Sequence, residues 1–147
     1  MAIYQTGKFD AQRTNAVSRS SRIYSDLDLN FALTPGKKDV NKKQDIEAVK
    51  QSVRNLILTN HYERPFHPEI GSSVRSLLFE NITPITTSIL KRAIGEVITN
   101  FEPRARLSAI DCFPDPDRNG YEVTISFYIV NMPGEQVQLE TFLERAR

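Results

Sequence analysis

Apolar and polar side chains recur with two different periods along this chain, and the changes of period divide it. From Tyr24 to Phe31 the spacing is two. Leu27, Leu29 and Phe31 fall on one face, and Asp26, Asp28 and Asn30 on the other. That alternation predicts a half-buried strand, broken by Thr34-Pro35-Gly36. Lys37, Lys38, Lys42 and Lys43 then make a basic loop around Asp39. Between Asp45 and Thr59 the period lengthens. Ile46, Val49, Val53, Leu56 and Ile57 recur at spacings that build one helical stripe, with Lys50, Gln51 and Arg54 off it. Asn60 is the expected stop.

The stretch Glu63-Arg64-Pro65-Phe66-His67-Pro68-Glu69-Ile70-Gly71-Ser72 has no period. Its prolines hold the residues before them extended, which predicts a rigid, shaped loop. Within it Arg64 and Glu69 are placed to pair and brace the turn, and Phe66 is expected to plug the core. With Pro65 and Gly71, these form a structural loop and a candidate interface. Ser72 or Ser73 can cap a short helix through Val74, Leu77, Leu78 and Phe79.

Thr83-Pro84 opens a longer helix, with threonine as N-cap and proline at the first helical position. Ile85, Ile89, Leu90, Ala93, Ile94, Val97, Ile98 and Phe101 form a stripe wide enough to lie against a sheet. Pro103 must end it. Beyond it the period returns to two. Arg104 to Phe113 places Leu107, Ala109 and Asp111 on one face; Tyr121, Val123, Ile125, Phe127 and Ile129 follow, then Val137 and Leu139. Pro114 to Gly120 and Met132 to Glu135 supply the turns. The order predicts an α+β fold: one small domain over 23–147, helices packed on one face of an antiparallel sheet with a C-terminal β-meander.

Residues 1–22 differ from the rest. They are polar, with Lys8, Arg13, Arg19 and Arg22 against Asp10 alone. So few apolar side chains do not offset the entropy of ordering, which predicts an extended or disordered arm. Ile3, Tyr4, Phe9 and Val17 are its candidate contacts.

Composition narrows the chemistry. At 147 residues and a formal net charge of +1, the chain can bury its own core and is not drawn as a whole to nucleic acid or an anionic membrane. No apolar run reaches the length of a membrane span, and the N-terminus carries no secretory h-region. The single cysteine, Cys112, reads as a small core residue. His61 and His67 are the only histidines, in a spacing that matches no trusted zinc site. No phosphate-cradling glycine loop or nucleophile elbow is present. No cofactor is expected. Glycoside hydrolysis needs two carboxylates across a cleft. Glu63, Glu69, Glu80, Glu96 and Glu102 are candidates only generically, and there is no tryptophan to stack on a sugar.

Two patterns together are more specific. One runs from Ala48 to Thr59 into Glu63-Arg64-Pro65-Phe66-His67-Pro68-Glu69-Ile70-Gly71-Ser72 and Leu77-Leu78-Phe79-Glu80. The other is Phe101-Glu102-Pro103-Arg104. In register with the early Asp26-Leu27-Asp28-Leu29 strand, they resemble the baseplate wedge and sheath-initiator family of contractile-tailed phages, and are similar to baseplate subunits of type VI secretion systems. The likeness covers about residues 23–143. It implies a non-enzymatic virion protein of the tail baseplate, assembled in the host cytoplasm, with a domain like the conserved domain of the tail sheath protein. It further implies a sheet edge offered to the tail sheath protein, and a Glu102-Pro103-Arg104 turn that grips a helical bundle of other baseplate wedge proteins. An arm lying on the tail tube is a further expected contact. The alternatives are a tail-borne cell-wall hydrolase, or the equivalent subunit of another contractile injection machine.

Overall fold

The computed structural model describes residues 24–31, 36, 39–132, 134 and 136–145. The arm expected over 1–22, and Lys37 and Lys38 of the basic loop, lie outside the described residues. In chain order the elements are β1 (Ser25–Leu27), β2 (Lys42–Gln44), α1 (Asp45–Leu58), α2 (Val74–Leu77), α3 (Pro84–Phe101), β3 (Ala105–Asp115), β4 (Gly120–Ile129) and β5 (Gln136–Glu144). β1 and β2 form a small antiparallel ribbon, and β3-β4-β5 an antiparallel meander. The α+β architecture is therefore as expected, while Lys42 and Lys43 of the expected basic loop lie in a strand, β2.

The core is the meander's inner face under α3 and α1. Tyr121, Val123, Ile125, Phe127 and Ile129 of β4 are all buried, and Val137, Leu139 and Leu143 of β5 continue the layer. Against them lie Leu90, Ile94 and Ile98 of α3 and Val49, Val53 and Ile57 of α1. α3 begins as its sequence dictates. The Thr83 hydroxyl accepts the Thr86 N–H at 3.1 Å, and Pro84 takes the first helical position. The stripe on α3 is narrower than expected, however. Ile85 is 73% exposed and Ile89 is also exposed, because so wide an arc cannot all face one sheet.

β3 also departs from its simple alternation. A bulge between Leu107 and Ala109 inserts one residue opposite β4. Ile110 turns inward in place of Ala109, and with Leu107 faces Gly95 of α3; Ala109 and Asp111 point outward.

The first strand is shorter than predicted, and its faces are reversed. Leu27 and Leu29 are exposed and Phe31 is 65% exposed, while Asp28 is buried. The ribbon pairs with itself and not with the meander, so which face turns inward is decided by polar partners. Asp28 meets Lys43 at 3.6 Å, Asp26 meets Arg104 at 3.1 Å, and the Gln51 side chain donates to the Leu27 carbonyl at 3.0 Å.

Candidate functional site

The end of α3 turns a corner whose chemistry is internal. Glu102 closes the helix by donating its N–H to the Ile98 carbonyl at 3.0 Å. A carboxylate is unfavourable at this negative end of the helix dipole, and Glu102 is only 3% exposed. Arg104, just past Pro103, compensates in the geometry to which a guanidinium is suited. Its Nε donates to Glu102 Oε1 at 2.7 Å and its Nη2 to Oε2 at 2.9 Å. The remaining nitrogen, Nη1, donates to Asp26 Oδ2 at 3.1 Å, and the Tyr24 ring lies 5.6 Å from the guanidinium carbon. Burial pushes the Glu102 carboxyl up, but hydrogen bonds from Arg104 and Ser52 and the charge of Arg104 outweigh it, leaving the group below its ordinary pKa. The Arg104 guanidinium is correspondingly raised, chiefly by its hydrogen bond to Glu102.

Tyr24 ties this corner to two other segments. Its N–H donates to Asp45 Oδ1 at 3.2 Å, its carbonyl accepts the Asp45 N–H at 2.9 Å, and its hydroxyl donates to the Val130 carbonyl at 2.9 Å. The Arg104 carbonyl accepts the Val130 N–H at 2.9 Å. Of the residues expected to meet a partner, Pro103 is exposed and Arg104 half-buried. The sequence alone gives Asp26, Tyr24 and Ser52 no role at this corner. Asp26 is 78 positions from Arg104, and no local pattern carries that pairing.

The loop after α1 is as ordered as its prolines suggest. The Asn60 N–H donates to Glu63 Oε2 at 2.8 Å, Tyr62 N–H to the Pro68 carbonyl at 3.0 Å, and Ser72 N–H to the Thr59 carbonyl at 2.8 Å. Gly71 is needed for close approach, because a Cβ there would sit 2.5 Å from the Asn60 carbonyl group. Two expectations fail. Phe66 does not plug the core; it is 96% exposed, since the backbone bends through φ +67° there and turns the ring outward. Glu69 does not pair with Arg64. It meets His67 Nδ1 at 3.1 Å, which the Pro65 and Pro68 bends bring nearer.

The generic carboxylates are dispersed. Glu96 pairs with Arg92 at 2.8 Å, Glu63 and Glu69 are held within the loop, and Glu102 is neutralised by Arg104. A groove of about 550 Å³ between α1, α2 and the end of β5 is lined by Leu58, Val74, Arg75, Leu78 and Phe142, with Glu144 its single carboxylate among the described residues. The Cys112 thiol is half-buried, and burial pushes it up to about 11, so it is protonated and inert at neutral pH.

Residues 43–133, which include both sequence patterns at Glu63–Gly71 and Glu102–Arg104, match the family described as Baseplate wedge protein gp25. The chain belongs to the gp25 baseplate wedge family. Baseplate wedge protein gp25 of Enterobacteria phage T4 is 33% identical over 122 residues, 82% of this chain and 92% of the phage protein. A chain in the six-fold symmetrised cryo-EM structure of the anti-feeding prophage baseplate superposes with a TM-score of 0.66 at 28% identity, covering 75% of this chain and 88% of that one. The crystal structure of a candidate tail lysozyme from Geobacter sulfurreducens superposes with a TM-score of 0.62 at 18% identity, over 67% and 89% of the two chains; that likeness is one of fold alone. Family membership makes this gp25-family chain a structural component of a contractile-tail baseplate, located in the virion tail.

Proposed function

We propose that the chain is a non-enzymatic wedge subunit that docks on other wedge proteins through its Glu102-Pro103-Arg104 corner and starts the sheath by offering a sheet edge. The observation that supports this reading is the outer side of β5, which no other strand among the described residues pairs. Among the described residues β5 pairs with β4 alone, in an unbroken register from Gln136 to Glu144. An added strand needs such an edge, gaining backbone hydrogen bonds with little demand on side-chain identity. The opposite edge is less suited: β3 carries the Ser108 bulge and Pro114, devices that blunt an edge, and Lys91 reaches Asp111 there at 3.8 Å. At the α3–β3 corner, the internal pairing of Arg104 leaves a stiff turn with Pro103 outermost, a shape that needs little ordering on contact.

Hydrogen exchange tests the edge. Adding purified sheath protein is expected to slow exchange of the outward amides of β5 and leave those of β3 unchanged. Equal exchange in β5 with and without sheath protein would sink the edge assignment. For the corner, Pro103→Asp is expected to keep native circular dichroism and lose co-elution with wedge proteins on size exclusion; retained co-elution would remove the corner from that interface.

A further inference from the structure

We infer that Phe66 is a preformed anchor for another baseplate protein, one presenting an apolar socket bordered by carboxylates; this rests on the reading above that the chain docks within a wedge. A phenylalanine 96% exposed reverses the usual placement of that side chain. The loop holds it there. Phe66 has φ +67° and Tyr62 φ +65°, a region that bulky residues adopt only when the surrounding structure imposes it. Here the bonds from Tyr62 to Pro68, from Asn60 to Glu63 and from Ser72 to Thr59 impose it, with Pro65 and Pro68 stiffening the span between. A ring presented by so fixed a backbone loses little freedom on docking.

Its surroundings indicate the partner's chemistry. Tyr62 and Leu58 are exposed near the same loop. Arg64 in the loop, Arg54 one turn before Leu58 on α1, and Arg75, which shares a groove with Leu58, are exposed, and none pairs with a carboxylate among the described residues. The acids of the loop are engaged, Glu63 by the Asn60 N–H and Glu69 by His67. Aromatic side chains flanked by arginine are the composition of interface hot spots. The unpaired positive charge also argues against a second copy of this chain. Two copies meeting through this patch would bring like charges together, whereas an acidic rim would neutralise them.

The test uses the full chain co-expressed with the other wedge subunits of its own baseplate. Phe66→Ala is expected to melt within a few degrees of the natural chain and to bind its partner about tenfold or more weakly. Arg64→Glu is expected to weaken binding without unfolding. A photo-crosslinking phenylalanine analogue at position 66 is expected to label a different wedge protein in assembled baseplates. Full-strength binding by Phe66→Ala overturns the inference and leaves the wedge reading standing. A steep fall in melting temperature overturns it too, since the ring would then be a core residue. Crosslinking to a second copy overturns the partner class. A natural chain that binds no wedge protein overturns both readings.

Discussion

A single arginine carries most of the unusual chemistry of this domain. Breaking a buried pair leaves an uncompensated charge, which costs about 3–5 kcal/mol. Glu102 is buried but Arg104 is 26% exposed, so Arg104→Ala is expected to cost about 3 kcal/mol, measured by chemical denaturation. Asp26→Asn removes only the more exposed arm of the cluster and should cost under about 1 kcal/mol. The pair also sets an acid limit. In the unfolded chain the Glu102 carboxyl titrates near 4.5, and folding lowers it. Its stabilisation is therefore complete above the unfolded value and lost as the pH falls through the lower folded one. Melting temperature followed from pH 7 into acid should drop below about pH 4.5, and Glu102→Gln should flatten that drop. An unchanged slope in Glu102→Gln would place the acid sensitivity elsewhere. At Gly71 the constraint is space. Gly71→Ala must displace the Asn60 backbone, and is expected to cost about 1–3 kcal/mol by the same denaturation assay.

α3 obeys its own sequence most closely at its ends. Capping by Thr83 is local, needing only a hydroxyl three residues before an N–H, so Thr83→Ala should cost about 1 kcal/mol. Along its length the sequence overstates the buried arc. Ile94 is wholly buried whereas Ile85 lies in water, though both belong to the same apolar stripe. Ile94→Ala is expected to cost about 2–5 kcal/mol, and Ile85→Ser within about 0.5 kcal/mol. Equal costs from thermal melts would contradict this packing. β1 departs further: the alternation from Tyr24 to Phe31 yields a strand only over Ser25–Leu27, and Arg104 and Lys43, not hydrophobicity, decide its faces.

At the scale of the whole molecule, α3 and α1 cover one face of the meander, and among the described residues no strand pairs the outer side of β5. Such an edge invites unwanted pairing unless a partner or a covering segment occupies it. The outer side of β5 and the outward Phe66 loop are separate features of the same domain. The groove between α1, α2 and β5 is lined by Leu58 at the end of α1 and by Phe142 and Glu144 at the end of β5. Concentrating the isolated chain should therefore promote self-association that a bound sheath protein suppresses, measurable by light scattering.

Periodicity, caps and turn residues are encoded within a few neighbouring positions, and these settled α1, α3, the order of the three meander strands and the α+β class from sequence alone. The motifs at Glu63–Gly71 and Glu102–Arg104 likewise mark the family in the sequence itself. Other features depend on residues far apart in the chain. Asp26 and Arg104 meet only because the ribbon folds back on the α3–β3 corner, and Arg104 turns toward Glu102 because that carboxylate is buried at a helix end. The Ser108 bulge shifts which of Ala109 and Ile110 faces α3. Phe66 points outward because its backbone takes a positive φ within a hydrogen-bonded loop. Local sequence sets what a segment can form; which face it buries is decided by the partners that the rest of the chain brings to it.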